Sequence, residues 1–147
     1  MRQLSMLKSK IKNILVPLDG SKNSIRGLDT AINIARQCQA TLIGIYVIPR
    51  PPHPAFRSSQ YPEKPLLKDA EKIMDFAKKH SAQNGILFEN KIAFGDPAHS
   101  IVEFAKNKKF DLIVIGARGR GSLKEIFFGS VSNYVLHKSS IPVMIVK

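Results

Sequence analysis

At 147 residues the chain is sized for one domain, able to bury about two thirds of its unfolded surface. Hydrophobic residues make up 44% of it, and its longest apolar runs fall far short of the roughly 20 residues a membrane-spanning helix needs. That argues against wholesale disorder and a spanning helix, while 23 Lys and Arg against 11 Asp and Glu, a formal charge of +12, favour anionic partners through long-range attraction.

Residues 1–10 read as a basic extension and residues 11–147 as the domain. Strand-like and helix-like signals alternate along it. IKNILVPL (residues 11–18) is a first strand that ends at DGS, where Asp19 or Ser21 can start a helix. Ile25, Leu28, Ile32 and Ala35 then share one helical face. ATLIGIYVI (residues 40–48) is a second strand, rich in β-branched side chains. Six prolines between Pro49 and Pro65 deny backbone donors and predict a loop over 49–65. A helix follows, with Leu66, Ala70, Ile73 and Ala77 in phase, fading at QNG.

ILFENKIAF (residues 86–94) is a third strand, and GDPAHS opens the next helix with Asp96 as cap and Pro97 in its first turn. DLIVIG (residues 111–116) is a fourth strand. GSVSNYVLHKSS supplies the last helix and IPVMIVK the fifth strand. Five strands joined by helical connections make an α/β domain: a five-stranded parallel sheet with right-handed crossovers and helices on both faces. Ligands of such sheets sit beyond the carboxyl ends of the strands, where the winding reverses.

One of those ends carries four glycines in fourteen residues, Gly116, Gly119, Gly121 and Gly129. Bare backbone before a helix start is a ready anion site, because the first helical amides lack partners and carry partial positive charge. Three or four hydrogen bonds to a charged group, each about 1.5–3 kcal/mol, account for most of the roughly 8 kcal/mol of a micromolar complex. Turn geometry and tight helix packing explain glycines equally well on spacing alone. Arg118, Arg120 and Lys124 can add charge. The stretch has neither the spacing nor the Gly-Lys-Ser/Thr ending of a Walker loop, and it follows the fourth strand instead of the first, unlike a dinucleotide fingerprint.

Gly116-Ala-Arg-Gly119, nine residues, then Gly129-Ser130-Val131 resembles the signature of the ATP-binding branch of the universal stress protein family. NILVPLDGS, GDPAHSIVEFA and SSIPVMIVK extend the likeness, which covers residues 12–147. The resemblance implies a Rossmann-like sheet of order 3-2-1-4-5 with a crevice between strands 1 and 4. It implies Asp19, beside Pro17, on the ribose hydroxyls or a metal-bridged phosphate, and Val47 offering backbone groups to adenine. Ile115 would lie against the nucleoside, and Gly116, Gly119, Gly129, Ser130 and Val131 would cradle phosphates. The ligand implied is ATP, or AMP or ADP, with Mg2+ or Mn2+ carried by the phosphates, and the partner a second copy joined through the C-terminal strand 142–147. Arg118 stands where many members carry histidine.

No residue pattern marks a catalytic base. A slow ATPase using Asp19 and a metal is the enzymatic alternative, and a basic protein that binds nucleic acid is the third, although no RNP-type aromatic motif or zinc-finger spacing accompanies the charge. Solvated lysine-rich faces explain the charge without any partner. His53, His80, His99 and His137 lack metal-ligand spacing. Cys38 alone forms no disulfide framework and reads as a packed thiol; with no signal-peptide pattern, a cytoplasmic location is expected.

Overall fold

The computed structural model describes residues 11–51, 61–119 and 129–147. Its elements in chain order are β1 (Asn13–Pro17), α1 (Lys22–Cys38), β2 (Thr41–Pro49), α2 (Glu63–Gln83), β3 (Phe88–Gly95), α3 (Pro97–Asn107), β4 (Leu112–Gly116), α4 (Ser130–Lys138) and β5 (Val143–Val146). The strands form one sheet of order β3-β2-β1-β4-β5, parallel at every pairing. β1 and β4 are neighbours although two strands, β2 and β3, lie between them in the chain, so the winding reverses there.

Alternate residues of each strand feed two cores. Ile14, Val16, Leu42, Ile48, Leu112 and Val114 face α1 and α2, whose Leu28, Ile32, Ala70 and Met74 cover them. Leu15, Ile45, Val47, Ile113 and Ile115 face α3 and α4, packed by Ile101, Ala105 and Val135. With both faces covered, β1, β2 and β4 have no polar side, which is why their sequences do not alternate, whereas β3, at the sheet edge, exposes Glu89, Asn90 and Lys91. Gly44 leaves room on β2 for the Phe88 ring and the end of Met74, where a Cβ would overlap the ring.

The α1 face is centred slightly off the expected stripe: Ser24, Gly27 and Ala31 are buried with Leu28, Ile32 and Ala35, while Ile25 is half-buried. Cys38 is the last residue of α1 and packs half-buried against the core. On α2, Ala70 and Ala77 are buried with Met74 and Ser81, whereas Leu66 and Ile73 lie at the margin.

The proline-rich connection is shorter at both ends than the prolines imply. β2 continues through Pro49, and α2 starts at Glu63 with Pro65 in its first turn, where the absent N–H breaks no helical bond. Tyr61 donates its hydroxyl to the Pro49 carbonyl, and Arg50 bonds Glu63 at 2.8 Å while its guanidinium lies 4.1 Å from the Phe94 ring centre. No helix among the described residues is long and apolar enough to cross a membrane.

Candidate functional site at the carboxyl ends of β1 and β4

The chain leaves β1 through Leu18, whose amide still donates to Ile45 O at 2.9 Å, and turns at Gly20, φ +82°. Asp19 Oδ1 accepts the Ser21 amide at 2.9 Å, and Ser21 caps α1 by accepting from the Ser24 amide at 3.1 Å. Ser24 is buried; its hydroxyl donates to Ser21 O at 2.9 Å. Asp19 is therefore held by a turn and a cap together, and Ser21 is the N-cap, not Asp19.

On the β4 side, the run continues past Gly116 to Ala117, a junction of three elements. Its amide donates to Val146 O on β5 at 2.7 Å, and its carbonyl accepts from the Gly129 amide at 2.6 Å and the Ser132 hydroxyl at 2.8 Å. The start of α4 is thus tied directly to the exit of β4.

The two glycine segments meet here. A Cβ on Gly129 would lie 3.5 Å from Arg118 Cα and 3.9 Å from Gly119 N, and one on Gly119 would overlap Asp19 Oδ2. Asp19, Gly119 and Gly129 therefore form a continuous contact across the mouth between β1 and β4. The first turn of α4, like that of α2 at the far end of the proline-rich connection, receives no side-chain cap among the described residues, whereas α1 and α3 take theirs from Ser21 and Asp96. Amides of Ser130 and Val131 belong to that uncapped turn, and Ser130 is exposed.

The other expected positions take different environments. Gly116 is bare because α1 crosses it: a Cβ would lie 2.6 Å from Asn23 C, 2.7 Å from Asn23 O and 2.9 Å from Ser24 N. Its partner in that approach is Gly27, whose own Cβ would reach 3.3 Å from Gly116 N. Helix packing accounts for this glycine. The Gly129 amide is engaged with Ala117, so among the described residues the amides that follow it are the open donors of this turn. Pro17 closes β1 and is buried. Ile115 is 5% exposed in the α3–α4 core, leaving little of it to touch a ligand.

Val47 is also covered, but its backbone lies two residues beyond Ile45, the last residue of β2 bonded to the β1 side. Alternate residues of a parallel strand address the same neighbour, so the Val47 amide and carbonyl look over the space past the end of β1.

Sequence reasoning missed Ser24, Gly27 and Ser132, which hold the two sides of the mouth. Ser132 carried a usable signal, a serine three residues into the helix that Gly129 opens; Gly27, a glycine amid good helix formers, carried another. Arg120 and Lys124 lie outside the described residues. Among the described residues, no group of three or more His, Cys, Asp or Glu side chains converges to hold a metal ion. His99 serves α3 through its backbone, donating to Asp96 Oδ2 at 2.9 Å.

Residues 10–147 match the model of the universal stress protein family. Universal stress protein MJ0531 of Methanocaldococcus jannaschii is 36% identical over 139 residues, covering 92% of this chain and 82% of its own. Universal stress protein UspA from Lactobacillus plantarum superposes with a TM-score of 0.83 at 29% identity, over 95% of this chain and 99% of its own. A universal stress protein solved in complex with cAMP is 28% identical, with a TM-score of 0.75 over 95% of this chain and 99% of its own. With the sheet order, the reversal between β1 and β4 and the joined glycine segments already in view, these likenesses leave one conclusion: the chain belongs to the universal stress protein family.

Proposed function

We propose that the protein binds ATP, or a related adenine nucleotide, in the crevice between β1 and β4 and acts through occupancy of that site in a stress response. The observation that carries this reading is the uncapped first turn of α4, brought against Gly119 and Asp19. Uncapped amides at the positive end of a helix want acceptor oxygens, and glycine at 119 leaves the approach bare. In this reading the Ser130 and Val131 amides and the Ser130 hydroxyl take phosphate oxygens, with Gly119 lining the approach. Asp19 takes the ribose hydroxyls or a metal ion bridged to phosphate, while the Val47 backbone addresses the adenine edge. A divalent ion such as Mg2+ would arrive with the phosphates, since Asp19 is the carboxylate at the mouth.

The cAMP-bound relative supports adenine as the base. A second copy docking along residues 142–147 completes the reading; its support is that β5 is an edge strand on which Met144 is 39% exposed. Light scattering at micromolar concentration tests that pairing, and a monomer mass removes it.

The test of nucleotide binding is a melting curve with and without millimolar ATP. Ligand at a hundredfold excess over its dissociation constant adds about 2.7 kcal/mol, a rise of roughly 5–10 °C for a chain of this size. Denaturing freshly purified protein and weighing any released small molecule identifies the nucleotide. An unchanged melting curve with no released nucleotide refutes the proposal.

A further inference from the structure

We propose that the amino-terminal edge of the sheet, opposite the nucleotide crevice, binds single-stranded nucleic acid. The last turns of α1, α2, α3 and α4 arrive at this edge, and each carries a base: Arg36, His80, Lys106 and Lys138. A cation at a helix C-terminus is the expected complement to the helix dipole, and Arg36, Lys106 and Lys138 supply it on α1, α3 and α4, while the His80 ring is bonded to Asp29 Oδ1 at 2.6 Å. Lys108 and Lys109, beyond the end of α3, and Lys12, ahead of β1, exceed that complement. All three are exposed, as are Arg36, Lys106 and Lys138. None of these six is ion-paired among the described residues. The carboxylate at the entry of β4, Asp111, is turned to the backbone and accepts the Lys12 and Asn13 amides at 2.8 and 3.0 Å.

Topology sets these groups in a row. From β3 to β5 the strand entries present Asn84 and Leu87, then Arg36 and Gln39, then Lys12, then Lys108 and Lys109, then Lys138. Neighbouring strands lie ~4.8 Å apart, so the row spans roughly 19 Å, a track for several phosphates of one extended strand. Its β2–β3 end opens into a cavity of about 430 Å³ lined by Arg36, Gln39, Thr41, Asn84 and Leu87, among others. Leu87 is 66% exposed there, an apolar surface a base can lie on. Asn84 spends its Nδ2 on His80 O at 2.8 Å, which leaves its amide oxygen for a base edge. An unpaired base fits this hollow, whereas a duplex buries its bases and a lipid surface has nothing to place in it.

Fluorescence anisotropy of a labelled 12-mer oligouridylate, with saturating ATP present throughout, tests the proposal. A track neutralising about four phosphates gives a log–log salt slope near −3 for single strands. Lys108→Gln with Lys109→Gln flattens the slope by about 1.4, and Asn84→Ala with Leu87→Ser weakens binding severalfold at unchanged slope. Lys64→Gln with Lys68→Gln, at the far end of α2, changes neither. Salt-independent binding, equal loss in the Lys64 and Lys68 control, or capture of phosphatidylglycerol vesicles without any affinity for the oligonucleotide each overturns it. Because ATP fills its own site in every sample, failure here leaves the crevice reading standing.

Discussion

Replacing Gly116 with alanine separates two reasons for a glycine at the mouth of the crevice. Its Cβ would sit 2.6 Å from Asn23 C, a backbone atom that cannot swing aside. Restoring the 3.4 Å of ordinary contact requires the first turn of α1 to retreat by about 0.8 Å. Overpacking of this kind costs about 1–3 kcal/mol, and alanine returns about 0.4–1 kcal/mol by restricting the unfolded chain. The net loss, about 1–2 kcal/mol, corresponds to a melting temperature roughly 2–8 °C lower for a domain of this length. Gly119→Ala contrasts with it. There the added carbon meets Asp19 Oδ2, the far end of a side chain that can rotate, so melting in the absence of ligand stays within about 1 kcal/mol of the parent. Calorimetric melting of both variants without nucleotide reads the difference. Equal melting temperatures for Gly116→Ala and the parent would refute the reasoning that α1 rests on bare backbone.

Three further outcomes follow from the same contacts. Ser132→Ala leaves the Ala117 carbonyl with one fewer donor in a buried setting, a loss of about 1–3 kcal/mol in chemical denaturation, and loosens α4 at the end that faces Gly119. Asp96→Ala removes the cap from the His99 amide and lowers stability by about 1 kcal/mol without altering nucleotide affinity, measured by calorimetric titration. Asp19→Ala frees the Ser21 amide and withdraws the crevice carboxylate, so the ATP-induced rise in melting temperature falls while the fold persists, as circular dichroism would show.

Much of the architecture was legible because it is written in local patterns. The apolar strand runs, the Asp96-Pro97 helix start and the Gly-x-x-Gly spacing each depend on residues close in sequence, and the sheet order then followed from the family likeness. What stayed hidden was set by contacts between distant segments. Gly116 and Gly27 are 89 positions apart, and only their approach across α1 and β4 explains why both lack a side chain. Pro49 and Pro65 looked like loop residues, yet the last residue of β2, beyond the end of its pairing with β1, and the first turn of a helix each tolerate a missing N–H. Ile25 loses its place on the buried stripe for a related reason: close contact with β4 puts small residues, Ser24 and Gly27, at the centre of the α1 face.

The most direct test follows backbone amides by heteronuclear NMR during titration with ATP. Occupancy of the crevice shifts the amides of Gly119, Ser130, Val131 and Val47 together, saturating along one binding curve. Silent spectra at millimolar ATP, or shifts confined to the opposite edge around Arg36, Lys108 and Asn84, would contradict it.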